Sequence, residues 1–270
     1  MVPSSLCFSC RYGERWMLCC MKHYIRLTGI AWLCTIFLAA LVSGCNTMKQ
    51  KQARLLDPTS YGMEQIAPRV YVGKEILADQ RKQLLQSVET ARQRVAAFYG
   101  GLVSDPTIYG CATRECIEFF GGMGDGYAVK ATGILLWPKS LIPEAIAHEW
   151  SHIELYARLD GRWGGMPGWF NEGLAVVVSD LPHHSEAVYQ EAVSSGYPIP
   201  LLSDLAGRQW TPSFMKRYEN PKGLNIVYST VGHEVRMWYQ RVGQQGLLKL
   251  IEALKSGERF SAVYMAQNHK

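Results

Sequence analysis

The pentapeptide H-E-W-S-H at residues 148–152 constrains this chain more than any other stretch. On an α-helix, residues four apart lie on one face, so His148 and His152 can direct ring nitrogens at one metal ion. Glu149 is rotated by about 100° from that face, which places its carboxylate beside the metal as a general base. A buried helix with core histidines is the alternative interpretation of the same pattern.

Glu172 is the candidate for a third ligand. The sequence predicts a helix over about residues 143–158, then a glycine-containing loop and a second helix that carries Glu172. A short loop can bring this carboxylate back to the two histidines. The resulting His2Glu set leaves the fourth position of a tetrahedral zinc ion open for water, so one Zn2+ per chain is expected.

The two motifs together resemble the gluzincin metallopeptidases, the thermolysin and aminopeptidase superfamily. H-E-x-x-H is followed at residues 170–175 by F-N-E-G-L-A, which is close to the W-L-N-E-G-x-A signature of the aminopeptidase branch. The resemblance implies that His148, His152 and Glu172 bind zinc and that Glu149 is the base. It also implies an α+β, mainly helical, zincin-like fold with a small β-sheet packed on the active-site helix and a C-terminal helical part.

The sequence departs from this family at one position. Thermolysin relatives carry an acidic residue four positions after the ligand Glu, where it orients a ligand histidine, and this chain has Val176 there. Asn171 is a candidate replacement. An Asn beside a helix ligand can equally bond to the local backbone.

A later helix over residues 225–242 offers the oxyanion donor. Gluzincins use a tyrosine or histidine from such a helix, and Tyr228 lies on its apolar, inward stripe. His233, about 140° away around the helix, is the second candidate. A buried core tyrosine is the alternative interpretation of Tyr228.

Two further segments bear on the site. Residues 127–137 predict one strand, bent or bulged at Gly133, whose edge can receive an extended peptide substrate. His183 and His184 follow a proline and do not share a helix face. They therefore predict a surface turn rather than a second metal site.

The N-terminal residues predict export and lipidation. Met21 is the expected start of translation, and basic Lys22 and Arg26 then precede an apolar run at 27–42, as in a secretory signal. V-S-G-C at residues 42–45 resembles the bacterial lipobox, which implies cleavage of residues 1–44 and a lipidated Cys45. An uncleaved membrane anchor is the alternative for the apolar run.

The expected organisation is a signal region at 1–44, a polar lipidated tether at 45–68 and a metallopeptidase domain at 69–270. Asn46 stands where Asp is the inner-membrane retention signal of many Gram-negative lipoproteins. The implied location is the periplasmic face of the outer membrane. In that oxidising compartment Cys111 and Cys116 are predicted to form a disulfide rather than a metal-ligand pair.

Charge and composition narrow the function classes. Net charge is +5, but the first 44 residues hold four basic side chains and one acidic, so the remainder is nearly neutral. With no basic stripe, nucleic-acid binding is not expected. The sequence therefore predicts zinc-dependent hydrolysis of peptide or protein substrates at a bacterial membrane. The lack of a G-x-M-E-N exopeptidase motif favours an endopeptidase or a dedicated processing enzyme, and an aminopeptidase is the alternative. A lipoprotein that binds zinc or a partner without turnover is the alternative.

Overall fold

The computed structural model describes residues 54–122, 126–129, 133–162, 165–206 and 220–268. The predicted signal region, Met21, the lipidation site Cys45 and the first part of the tether lie outside these ranges. Arg54–Lys270 form one compact unit. Within the described ranges, no helix combines the length and the hydrophobicity needed to span a bilayer.

Five short strands form one mixed sheet. They are β1 (Met63–Ala67), β2 (Val70–Gly73), β3 (Thr107–Gly110), β4 (Gly126–Val129) and β5 (Gly133–Leu136). Their order is β1-β2-β3-β5-β4. The pairs β1/β2 and β4/β5 are antiparallel, whereas β3 is parallel to both β2 and β5. Strand β4 therefore lies at an edge of the sheet.

The prediction of a single strand over residues 127–137 is wrong. The structure has two antiparallel strands there, with Tyr127 opposite Leu135 and Val129 opposite Gly133. Strand β5 is buried at all four of its positions. An apolar run without a turn dipeptide does not reveal that the chain reverses, because a strand buried on both faces shows no alternation.

Seven α-helices lie within the described ranges. They are α1 (Ala78–Tyr99), α2 (Arg114–Phe120), α3 (Pro143–Arg158), α4 (Gly168–Ser179), α5 (Glu186–Ser194), α6 (Pro221–Lys255) and α7 (Phe260–Asn268). Helix α6 is interrupted at Gly243, whose φ of 63° favours glycine. Helix α3 confirms the predicted helix at 143–158.

The main core lies between one face of the sheet and helices α1, α3, α4 and α6. Strand residues Ile108 and Ile134 enter this core, together with Ile146, Trp150 and Ile153 from α3. The fold is thus mainly helical α+β with a small sheet, as the sequence predicts.

A second, smaller core covers the other face of the sheet. Tyr109 and Leu135, which alternate with residues of the main core along β3 and β5, pack there against α2. A disulfide joins Cys111, just after β3, to Cys116 in α2, with a Cα–Cα distance of 5.6 Å. The predicted pairing is confirmed, and it fastens α2 to the sheet.

The boundary predicted between tether and domain at residue 69 needs correction. Strand β1 lies inside the predicted tether and pairs with β2, and Met63 at its start is buried. The strand is short, carries two polar residues and lies at a sheet edge. Its sequence therefore lacks the sustained apolar pattern by which strands are recognised.

Candidate metal centre

Helix α3 holds the first two candidate ligands on a well-anchored element. Pro143 occupies its first turn, where the missing N–H costs no helical hydrogen bond. Trp150 and Ile153 bury the side opposite the histidines. His148 and His152, one turn apart, therefore project from a backbone that core packing fixes in place.

Helix α4 brings the third candidate ligand back to α3. The Oε2 atom of Glu172 lies 3.5 Å from Nε2 of His148 and 3.5 Å from Nε2 of His152. Ligand atoms of all three residues lie within 4.8 Å of one another. Bonds of about 2.0–2.2 Å to a tetrahedral cation place its ligands about 3.3 Å apart. His148, His152 and Glu172, hereafter the metal-binding group, can together hold a metal ion.

Gly173 explains how Glu172 reaches this position. A Cβ atom on Gly173 would lie 2.5 Å from the carbonyl oxygen of Val231 and 2.4 Å from Cγ2 of Val235. Only a residue without a side chain lets α4 approach α6 so closely. The glycine next to the ligand therefore sets the depth at which α4, and with it Glu172, packs.

Asn171 orients one of the two histidines. Its Oδ1 lies 3.0 Å from Nδ1 of His152. The amide oxygen can accept a hydrogen bond only if Nδ1 carries a proton, so in the neutral imidazole the Nε2 lone pair is available to a metal ion. Asn171 thus occupies the supporting position that the sequence suggests for it.

Within the described ranges, His148 has no such partner. Its Nδ1 atom is buried without a hydrogen-bond partner among the described residues. Val176 packs against α6 instead, since a Cβ on Gly232 would lie 2.4 Å from its Cγ1 atom. The position that holds an acid in thermolysin relatives is here an apolar helix contact.

Glu149 lies beside the metal-binding group, between α3 and the edge strand β4. The backbone N–H of Ala128 donates a hydrogen bond to its Oε2 over 2.8 Å. A Cβ on Gly126 would lie 3.2 Å from Oε1, so the strand approaches the carboxylate closely. The carboxylate is therefore held outside the three ligands and within the same site.

The pKa values of two candidate ligands, His152 and Glu172, are shifted in opposite directions. Burial alone would lower the pKa of His152, but the charge and hydrogen bond of Glu172, with help from Glu149 and Asn171, raise that pKa to about 9. Burial would raise the pKa of Glu172, yet His152 and His148 hold it well below its usual range. Without a metal, His152 and Glu172 therefore form an ion pair at neutral pH.

Tyr228 lies on α6 next to the first histidine. The ring centroids of His148 and Tyr228 are 6.1 Å apart, with the planes at 72°. Burial, followed by the charges of Glu172 and Glu149, raises the pKa of Tyr228, so its hydroxyl keeps its proton. The structure brings this predicted residue to the metal-binding group.

His233 has other partners. Its Nδ1 lies 2.8 Å from Oε1 of Glu186, and its ring stacks on Tyr189 with centroids 3.9 Å apart. Arg236 donates to the same carboxylate over 2.9 Å. The second candidate for the oxyanion donor is thus bound into the contact between α5 and α6.

The prediction of a surface turn at His183 and His184 is wrong for His184. Both lie in a 3-10 turn (Pro182–His184), but His184 is only 8% exposed and stacks on Tyr228 at 4.5 Å. Burial, with smaller effects of His183 and His148, lowers the pKa of His184 to about 3. The apolar residue before the proline, Leu181, is a weak sequence signal that the turn faces inward, and the structure shows that Leu181 is buried.

The arrangement offers two imidazoles and a carboxylate to one cation, a second carboxylate beside it and a protonated phenol nearby. This set suits hydrolysis assisted by a metal ion. In comparisons with known proteins, no protein family, no curated protein and no solved structure matches this chain. Function is therefore inferred from the geometry of these residues.

Proposed function

We propose that this chain is a zinc-dependent peptidase of the gluzincin type, with endopeptidase action on peptide or protein substrates. The observation that carries the proposal is the convergence of His148, His152 and Glu172, with Glu149 beside them. Two imidazole nitrogens and one carboxylate oxygen suit Zn2+, and three protein ligands leave a position for water or substrate.

The side chains around the site divide the reaction between them. His148, His152 and Glu172 would hold the zinc ion, which would act as a Lewis acid toward water and the scissile carbonyl. Glu149 accepts the proton of the attacking water and passes it to the leaving amine. The Ala128 N–H keeps this carboxylate in place for that transfer. The Tyr228 hydroxyl, protonated at working pH, donates to the oxyanion.

The sheet edge formed by β4 is the proposed place for the substrate backbone. Strand β4 pairs with β5 on one side only. Its Ala128 N–H points to Glu149, so the free edge runs beside the proposed base. An extended peptide added along this edge would pass its backbone in front of the metal-binding group.

We place the enzyme in the bacterial cell envelope, lipid-anchored through Cys45 after removal of residues 1–44, on the periplasmic face of the outer membrane. The Cys111–Cys116 disulfide supports an oxidising compartment. Labelling with a radioactive fatty acid tests the anchor. Label is expected on the wild-type chain and not on Cys45→Ser, and equal labelling of both would exclude Cys45 as the modified residue.

A peptide-library assay on purified residues 46–270 tests the activity. The wild type should cleave, and Glu149→Gln should bind the same amount of zinc without cleaving, because only the base is lost. Zinc binding without cleavage by the wild type would support the non-catalytic lipoprotein instead. Equal cleavage by both proteins would remove Glu149 from the mechanism.

A further inference from the structure

We infer that His184 is a positioning residue: its ring holds Tyr228 in the orientation from which the phenol reaches the metal-binding group. The inference rests on the proposed function, since it concerns the residue proposed to donate to the oxyanion. It assigns a role to a histidine that sequence reasoning placed on the surface.

Two imidazoles contact the Tyr228 ring. The His184 ring stacks on it, with centroids 4.5 Å apart and planes at 21°. The His148 ring meets it edge-on at 6.1 Å. The centroids of the two histidines are only 6.5 Å apart, so the three rings form a triangle and one continuous packing unit. The orientation of Tyr228 is therefore defined by a stacked contact and an edge contact.

The contribution of His184 comes from the face of its ring. The side chain is buried, and its Nδ1 has no hydrogen-bond partner among the described residues. A buried imidazole nitrogen without a hydrogen-bond partner costs stability. A favourable contact made by the rest of the ring can offset that cost. Stacking on Tyr228 is the contact that His184 makes with the proposed catalytic group, and another aromatic ring can make it equally well.

The segment that carries His184 is fastened to the helix that carries Tyr228. Two residues after His184, the Glu186 carboxylate accepts hydrogen bonds from Arg236 and pairs with His233, both on α6. Tyr189 stacks on His233 one turn further along α5. These contacts fix the 3-10 turn against α6, and they give His233 a structural role instead of a catalytic one.

Two substitutions of His184 distinguish the effect of its aromatic ring from the effect of filling the same space. His184→Phe keeps an aromatic face, whereas His184→Leu keeps a buried side chain without one. In the zinc-free protein with ring-13C-labelled tyrosine, the Tyr228 resonance, assigned with Tyr228→Phe, should keep its upfield displacement in His184→Phe. It should lose that displacement in His184→Leu, because the ring current is gone.

The kinetic experiment uses the same variants in the zinc-loaded full chain. His184→Leu should lower kcat about tenfold to a hundredfold with KM unchanged, since a small misplacement of a catalytic group has effects of this size. His184→Phe should recover most of that loss. In a Tyr228→Phe background, His184→Leu should add no further loss, because the residue acts through Tyr228.

The two experiments distinguish failure of the inference from failure of the proposed function. If the wild type cleaves and His184→Leu has the kcat of the wild type, His184 does not position Tyr228. An unchanged Tyr228 resonance in His184→Leu leads to the same conclusion without any activity measurement. If the wild type does not cleave while the resonances behave as expected, the packing role stands and the peptidase function fails.

Discussion

Glu154 and His148 lie on different sides of helix α3, and both are buried. They differ in the hydrogen bonds that their polar atoms make. The Glu154 carboxylate accepts hydrogen bonds from the backbone N–H groups of Val103 and Ser104, from the Ser104 hydroxyl and from Arg158. The Nδ1 of His148 has no partner within the described part of the chain. The buried carboxylate of Glu154 thus has hydrogen-bond donors, whereas the buried nitrogen of His148 has no partner among the described residues.

The difference separates what holds the fold from what serves the site. A buried carboxylate with four donors fastens the loop before β3 to α3 and stabilises the native state. On the metal-binding side, the pKa of His152 is raised and that of Glu172 is lowered because the two form an ion pair, which stabilises the zinc-free fold. The buried Nδ1 of His148, without a partner among the described residues, instead costs stability. Perturbed pKa values of this kind cluster at functional sites.

The sharpest test of the comparison is Glu149→Gln, on the metal-binding side. Peptide cleavage should fall by about a hundredfold to ten-thousandfold, because the amide cannot accept the proton. Zinc content and the free energy of unfolding should stay close to those of the wild type. A large loss of stability would mean that the Ala128–Glu149 hydrogen bond belongs to the structural side of the comparison.

Glu154→Gln should show the opposite behaviour. Removing this charge leaves Arg158, whose side chain is only 14% exposed, without its ionic partner. The free energy of unfolding of the zinc-free protein should fall by about 3 kcal/mol in chemical denaturation. The matched control is Glu118→Gln, which breaks the exposed Arg114–Glu118 pair and should change it by less than about 1 kcal/mol.

The pH dependence of metal binding follows from the ion pair in the site. The raised pKa of His152, about 9, means that its attraction to Glu172 stabilises the zinc-free fold fully below about pH 6.5 and is lost as pH rises through 9. Zinc needs the neutral imidazole, so it must displace this proton. Apparent zinc affinity should therefore rise about fiftyfold from pH 7 to pH 9 in titration calorimetry.

Calorimetry in buffers of different ionisation enthalpy provides the check on that mechanism. At pH 7, one proton should be released for each zinc bound. Binding without proton release at pH 7 would show that His152 is already neutral and that the described ion pair does not form.

The smallest expected effect concerns the support of His152. Asn171→Ala removes the Oδ1 atom that lies 3.0 Å from its Nδ1 and should weaken zinc binding about ten- to a hundredfold. Asn171→Asp, which retains an acceptor at that place, is the control and should bind at least as tightly as Asn171→Ala. Equal affinity of the wild type and Asn171→Ala would make this hydrogen bond irrelevant to the metal.

The sequence predicts the helix 143–158, the candidate ligands and the disulfide because each depends on local spacing. His148 and His152 share a face by helical periodicity, and Cys111 and Cys116 are close along the chain. The burial of His184 and the reversal between β4 and β5 depend on tertiary packing instead. Neither leaves a periodic pattern in the sequence, so both are seen only in the structure.

The burial of Glu154 could not be predicted from the sequence either. This residue lies within the predicted helix, and nothing in its neighbours marks it as buried, since its partners Val103 and Ser104 come from about fifty positions earlier. A charged residue is expected at the surface unless its partners are known. Long-range pairing is thus the information that local sequence reasoning lacks.

The zinc content of purified residues 46–270 tests the central claim most directly. After exposure to zinc and removal of the excess, the wild type should retain one Zn2+ per chain, and a His148→Ala/His152→Ala double variant that still unfolds cooperatively should retain none. A wild type that retains no zinc, or a double variant that retains as much as the wild type, would contradict the account.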